Sequence, residues 1–123
     1  MKKILKIILG MCLVAQAAQA AQAALTSGVV SWYGGKFHGR TAADGSTFNK
    51  YAMTTASNSH ALGTKLRVTN PKNGKSVVVK VTDRGGFGKY GRTLDLSRGA
   101  FAKIEDLENG LVDVKIKVLK KGK

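Results

Sequence analysis

Between Ser76 and Asp83 the chain reads Ser-Val-Val-Val-Lys-Val-Thr-Asp, with Val77, Val79 and Val81 at every second position. Side chains of a strand alternate sides, so this run predicts an extended segment with one buried face. Asp83 continues the buried parity where the apolar run ends, which puts a carboxylate at the inner mouth of a sheet. Gly85, Gly86 and Gly88 then permit a tight turn, and Thr93-Leu94-Asp95-Leu96-Ser97 returns as a second short strand bearing Asp95. Two acids converging beside glycines form a candidate site.

The remaining pattern is a succession of short β segments. After a leader at Ala24–Ser27, Gly28–Tyr33 reads as a first strand, β-branched and aromatic. The stretch from Gly34 to Phe48 is a long glycine-rich loop, of the kind that carries function in a small domain. Ala52–Ala56 and Lys65–Thr69 are the next strands, and Asn73-Gly74 marks a hairpin connection before the valine run. Ser97 is a helix N-cap, with Ala100, Phe101, Ile104 and Leu107 on one helical face and Asn109-Gly110 at its end. Val112, Val114, Ile116 and Val118 alternate with polar residues as a final strand, and the tail at 120–123 is expected to fray. Six strands and one short helix predict an all-β fold, a small closed or nearly closed barrel with a filled interior.

Met1-Lys2-Lys3, an apolar run through Ala15 and overlapping Ala-Gln-Ala units ending at Ala17, Ala20 and Ala23 form a secretory signal expected to span 1–23. The interrupting Lys6 and the glutamines argue against a retained membrane span. Cys12, the single cysteine, lies in the apolar run, and Met11 before it is unlike a lipid-anchor site. The expected mature domain, 24–119, therefore has no thiol chemistry; with two histidines besides, it offers neither a metal-ligand set nor a cofactor motif. Without the signal the chain carries 18 basic and 7 acidic side chains. An exported cation of this kind meets wall polymers and lipid headgroups rather than nucleic acid. Lys115, Lys117, Lys120, Lys121 and Lys123 form a candidate stripe for anionic wall polymers.

Seven short words occur in one order from Gly28 to Ile104: Ser31-Trp32-Tyr33-Gly34, Phe37-His38-Gly39-Arg40, Leu62-Gly63-Thr64, Val68-Thr69-Asn70, Asn73 to Val79, Asp83-Arg84-Gly85-x-Phe87 and Asp95-Leu96-Ser97. This set resembles the rare lipoprotein A (RlpA) family. The segment from Asp95 to Ile104, with the last strand, also resembles the barrel domain of bacterial expansins. The resemblance implies a six-stranded double-psi β-barrel acting on peptidoglycan glycan strands as a lytic transglycosylase, which cleaves the MurNAc–GlcNAc bond without water and leaves a 1,6-anhydro end. The expansin likeness implies instead a barrel that binds and loosens wall glycans without catalysis.

Three positions depart from the RlpA pattern. Ser46 stands where the family has a functional glutamate, Ser57 where it has a histidine, and Gly86 where it usually has proline. A hydroxyl cannot replace a carboxylate as acid or base near neutral pH. Asp83 is accordingly the expected acid/base, with Asp95 in support. Trp32, Tyr33, His38, Asp44, Ser46, Arg84 and Phe87 are the expected glycan-contacting residues. Asp44 is equally a turn former with Gly45, and Trp32 equally a core residue. His60 is read as a loop or partly buried histidine. The chain is expected to act as a monomer in the periplasm or outside the cell. The residues after Lys117 are too few for a second wall-binding module, so weaker wall affinity than that of two-domain relatives is expected.

Overall fold

The computed structural model describes residues 25–85 and 91–122; the expected signal peptide, Cys12 and Phe87 lie outside them. Six strands, β1 (Leu25–Tyr33), β2 (Thr54–Ala56), β3 (Lys65–Thr69), β4 (Ser76–Asp83), β5 (Leu94–Ser97) and β6 (Val112–Lys120), form a closed barrel in the order β1-β5-β2-β4-β3-β6. β1 runs parallel to β5 and β2 to β4, while the other neighbours are antiparallel. The all-β reading with a single short helix, α1 (Arg98–Ala102), holds.

Alternation fills the interior. Leu66 and Val68 of β3, Val79 and Val81 of β4, and Val114 and Ile116 of β6 are at most 2% exposed, while Lys65, Arg67, Lys80 and Lys115 between them face out. Each fully buried aliphatic chain adds roughly 1.5–3 kcal/mol relative to exposure. α1 plugs the barrel with Phe101, which is completely buried, and Ser97 caps it, accepting a hydrogen bond from the Ala100 N–H. Gly99 is required here: a Cβ at that position would stand 2.6 Å from the Tyr51 carbonyl oxygen.

Three details differ from the sequence reading. β1 begins at Leu25 rather than Gly28, because Leu25–Ser27 pair with Lys115–Lys117 of β6 and leave no free leader within the described residues. The expected helix through Leu107 stops at Ala102, and a separate 3-10 turn covers Leu107–Asn109. The Ile104 carbonyl is taken by the side-chain amides of Asn70 (2.9 Å) and Asn73 (3.0 Å), and the Asp106 carboxylate captures the Glu108 N–H, so the i to i+4 ladder cannot continue. The tail does not fray over its described length. Lys120 belongs to β6, the Gly122 N–H donates to Thr64 Oγ1 (2.9 Å), and a Cβ on Gly122 would collide with the Leu62 carbonyl.

Candidate active site

Four adjacent strands assemble the site. Ser31 of β1 registers with Asp95 of β5, Asp95 with Ala56 of β2, and Ala56 with Asp83 of β4. The aspartates thus flank β2, their backbones roughly 10 Å apart, twice the strand spacing. A bulge between Thr55 and Ala56 makes this possible: Thr55 faces Val81, yet Ala56 faces Asp83, which skips Thr82. The bulge puts Asp83 on the side of Ala56 and Asp95, opposite to the core residues Val81 and Leu96, so Asp83 does not keep the buried parity that the sequence predicted, and nothing in the sequence signals it.

Asp83 also ties down the long loop. Its Oδ1 accepts the N–H of Ala43 (3.0 Å) and of Arg84 (2.9 Å), while the Asp44 N–H donates to the Thr82 carbonyl (3.0 Å). Asp44 Oδ1 in turn accepts the Ser46 N–H (2.9 Å) and the Ser46 hydroxyl. Burial works against ionisation of Asp44, but the Ser46 hydroxyl and N–H and the charge of Lys80 outweigh it and hold the carboxyl below its ordinary range. Asp44 therefore shapes the turn, as expected, and its charge is also felt at Tyr33.

Asp95 sits in a different setting. Its half-buried position pushes its pKa up, against the opposing effects of a hydrogen bond from the Ser31 hydroxyl (2.8 Å) and the charge of Arg92. Arg92 Nη1 itself donates to Ser31 Oγ (3.0 Å), so cation, hydroxyl and carboxylate form a chain. The sequence reading did not single out Ser31. The signal was present, because Ser31 and Tyr33 share one face of β1 at a spacing of two.

Tyr33 is the centre of the arrangement. Its ring stacks on Phe48 with centroids 4.5 Å apart at 16°, and Phe37 meets it at 72°. Its Oη is sealed from solvent and meets no hydrogen-bond partner among the described residues, an arrangement that costs about 1–3 kcal/mol. Burial first, and then the charges of Asp83, Asp95 and Asp44, push the phenol far above its ordinary range, so it stays protonated. Three of the chain's seven acids therefore act on one hydroxyl. No group of three or more acidic or histidine side chains among the described residues could hold a metal ion.

The other candidates are dispersed. Trp32 points to the opposite side of β1, where its indole N–H donates to the Leu107 carbonyl (3.0 Å) and its ring packs on the core. His38 is exposed, accepts the Lys50 N–H at Nδ1 (3.2 Å) and lies edge-on to Tyr51. Arg84 turns its guanidinium away from the aspartates and onto the carbonyls of Ser57 (2.5 Å) and His60 (2.6 Å). Ser57 is fully buried and accepts the N–H groups of Ser59 and His60. His60 is partly buried, as expected, and burial lowers its pKa.

A family profile described as "Lytic transglycolase", a double-psi β-barrel family, matches residues 25–116. The chain belongs to this family. It is 47% identical over 89 residues to the endolytic peptidoglycan transglycosylase RlpA of Pseudomonas aeruginosa, covering 72% of this chain and 26% of that protein. It is 44% identical over 93 residues to that of Vibrio cholerae, covering 76% and 35%. The chain spans about a quarter to two-fifths of the length of the curated relatives it matches. Among solved structures, an expansin of Clavibacter michiganensis in complex with cellohexaose superposes with a TM-score of 0.63 at 28% identity, over 80% of this chain and 52% of that one. A Streptomyces papain inhibitor at 23% identity, with a TM-score of 0.62 over 78% of this chain and 94% of that one, shares the fold alone. The double-psi barrel and the likeness to the RlpA family that the sequence implied both hold.

Among the described residues, no helix is long and apolar enough to cross a membrane.

Proposed function

We propose that this barrel is an exported endolytic peptidoglycan transglycosylase that acts as a monomer on glycan strands in the periplasm or outside the cell, with Asp83 as its acid/base and Asp95 in support. The carrying observation is the row Ser31, Asp95, Ala56, Asp83 across four adjacent strands, in a chain of the lytic transglycolase family. In the proposed reaction Asp83 gives its proton to the glycosidic oxygen as the bond from C1 of MurNAc to that oxygen breaks. The 6-hydroxyl of the same sugar then bonds to C1 and returns a proton to Asp83. Water is neither consumed nor released, and one carboxylate suffices. Sacculi stripped of stem peptides are expected to yield 1,6-anhydro ends, detected by mass, with the wild-type protein and none with Asp83→Asn. Wild-type protein that yields no such ends overturns the reading.

Ser46 supports a second reading, a barrel that holds glycan without cleaving it. It is exposed, and its hydroxyl is engaged with Asp44 where the family's glutamate would stand. Under that reading the wild type pellets with stripped glycan and is inert, and Ser46→Glu gains anhydro products. Under the first reading the wild type is already active.

The outer wall supports a further contact with anionic wall polymers. Lys65 of β3 pairs with Lys80 on one side and Lys120 on the other, and Arg67 pairs with Lys117. Like charges directly opposite one another weaken a sheet, and a polyanion laid across them reverses that cost. Such binding weakens by a few tenths molar salt, whereas a neutral sugar groove holds.

A further inference from the structure

Apart from the two aspartates, two segments of the chain are pinned together around a pocket of about 220 Å³ lined by Ser59, His60, Ala61, Thr64, Val118 and Lys121. The first segment is the turn at 57–60. Arg84 Nη1 donates to the carbonyls of Ser57 (2.5 Å) and His60 (2.6 Å) and fixes its path. The second follows β6, where the Gly122 N–H donates to Thr64 Oγ1 (2.9 Å) and the lack of a Cβ lets the backbone approach the Leu62 carbonyl. Docking of Gly122 makes Lys121 part of the same wall as His60.

The imidazole of His60 is held in one tautomer. Ser57 Oγ accepts the N–H groups of Ser59 (3.2 Å) and His60 (3.1 Å), which occupies both lone pairs of the hydroxyl and leaves its hydrogen to donate. The nearer acceptor is His60 Nδ1 at 3.1 Å, while Ser59 Oγ lies at 3.5 Å. Nδ1 is therefore the bare nitrogen and Nε2 carries the proton. Burial favours the neutral ring. The Nε2–H has no partner among the described residues and, unlike the Tyr33 hydroxyl, is not sealed from solvent.

A donor fixed in this way selects its ligand. The imidazole N–H and the ammonium of Lys121 can only donate, and the Ser59 hydroxyl beside them turns to suit. One ammonium next to a neutral ring matches a single negative charge, and the small side chains of Ala61 and Val118 add apolar surface. A phosphate monoester brings a second charge, and a phosphodiester a second arm. A carboxylate on a short alkyl group fits all of these features. Lys120, which pairs with Lys65, and Lys80 beyond it add a positive field that draws anions to this end of the barrel.

We propose that this pocket binds a carboxylate carried on a short alkyl group, with His60 Nε2–H and Lys121 on its oxygens and Ala61 and Val118 against its carbons. Two groups have this chemistry on the peptidoglycan reading, on which the choice of source rests: the lactyl side chain of MurNAc without a stem peptide, and the C-terminal residue of a stem peptide. Neither Asp83 nor Asp95 lines the pocket, so the carboxylate site stands whether or not the barrel cleaves.

The full chain is titrated at low salt with 2-methoxypropionate, N-acetyl-D-alanine and inorganic phosphate while the His60 ring signals are followed by NMR. His60→Gln assigns them, since His38 is the other histidine. A carboxylate is expected to shift the His60 signals saturably in the millimolar range, with phosphate about tenfold weaker or worse. Lys121→Gln, at an exposed position, is expected to weaken carboxylate binding about tenfold, the loss of one charge-assisted hydrogen bond, and Lys103→Gln to leave it unchanged. Tighter binding of the ether assigns the lactyl source, and tighter binding of the amino acid the stem peptide. Unmoved His60 signals overturn the proposal, as do phosphate binding equal to that of the carboxylates or undiminished binding in Lys121→Gln. Anhydro-end formation on stripped strands is read separately, so a barrel that never cleaves removes the transglycosylase reading and leaves the titration to decide on the pocket.

Discussion

The strand face tied to the 34–48 loop and the open outer wall treat charge in opposite ways. On the loop-tied face, every acid is answered: Asp83 by two backbone N–H groups, Asp44 by Ser46, Asp95 by Ser31 with Arg92 behind it. On the wall, Lys65 faces Lys80 and Lys120, and Arg67 faces Lys117, like against like. The two meet where Lys80 of the wall acts on Asp44 of the loop. Hydrogen-bonded charges are held in one geometry and suit selective recognition, while solvated lysines stay mobile and suit attraction at range. On the proposed function, shape-selective chemistry belongs to the loop-tied face and long-range capture to the wall.

The sharpest way to break this division is Asp83→Asn. Loss of a proton shuttle is expected to lower the rate on stripped strands by ~10²–10⁴-fold, with salt-sensitive retention on intact sacculi unchanged. Retained activity would remove Asp83 from the chemistry. Gly99→Ala comes next, since its Cβ would press on the Tyr51 carbonyl that borders the His38 loop. A loss of ~1–3 kcal/mol is expected, read as a lower Tm or denaturation midpoint. An unchanged midpoint would show that this approach is not tight.

Replacing Lys65, Arg67 and Lys117 together by glutamine should leave the rate on stripped strands intact and flatten the salt dependence of sacculus retention. Relief of like-charge pairs is expected to add ~0.2–1 kcal/mol of stability. A fall in rate on stripped strands would mean that the wall takes part in the work of the site.

The smallest effect concerns Asp95. Burial raises its folded-state pKa above the ordinary 3.8, so the native state binds that proton more tightly than the unfolded chain does. Its stabilising contribution is present below 3.8 and is lost as pH rises through the raised value. Asp95→Asn should therefore match or exceed wild type by ~0.5 kcal/mol at pH 7, and the advantage should vanish at the acid end of that window. An Asn variant that is less stable at pH 7 would mean that the bonds from Ser31 and Arg92 outweigh burial.

Much of this was legible in residue order. Alternation along Val77–Val81 and Val112–Val118 set which faces of β4 and β6 are buried, because a strand's side-chain period is two and one face must leave water. Asn73-Gly74 marked the β3–β4 hairpin, and Ser97 marked the start of α1. Asp83 and Asp95 stood out because each interrupts an apolar strand near glycines. The end of α1 was not legible, since Asn70 and Asn73, more than thirty residues away, claim the Ile104 carbonyl.

What the sequence determined by itself is the buried pattern, the excess of positive charge and the identities of the acids, since these depend on composition and local periodicity alone. The tertiary structure decided how they meet. Only barrel closure puts β5 between β1 and β2, only the bulge at Thr55–Ala56 turns Asp83 rather than Thr82 toward Ala56, and only the folded loop brings Asp44 to Tyr33. The burial of the Tyr33 hydroxyl, with Phe48 stacked on its ring, depends on distance through space, which no spacing along the chain encodes.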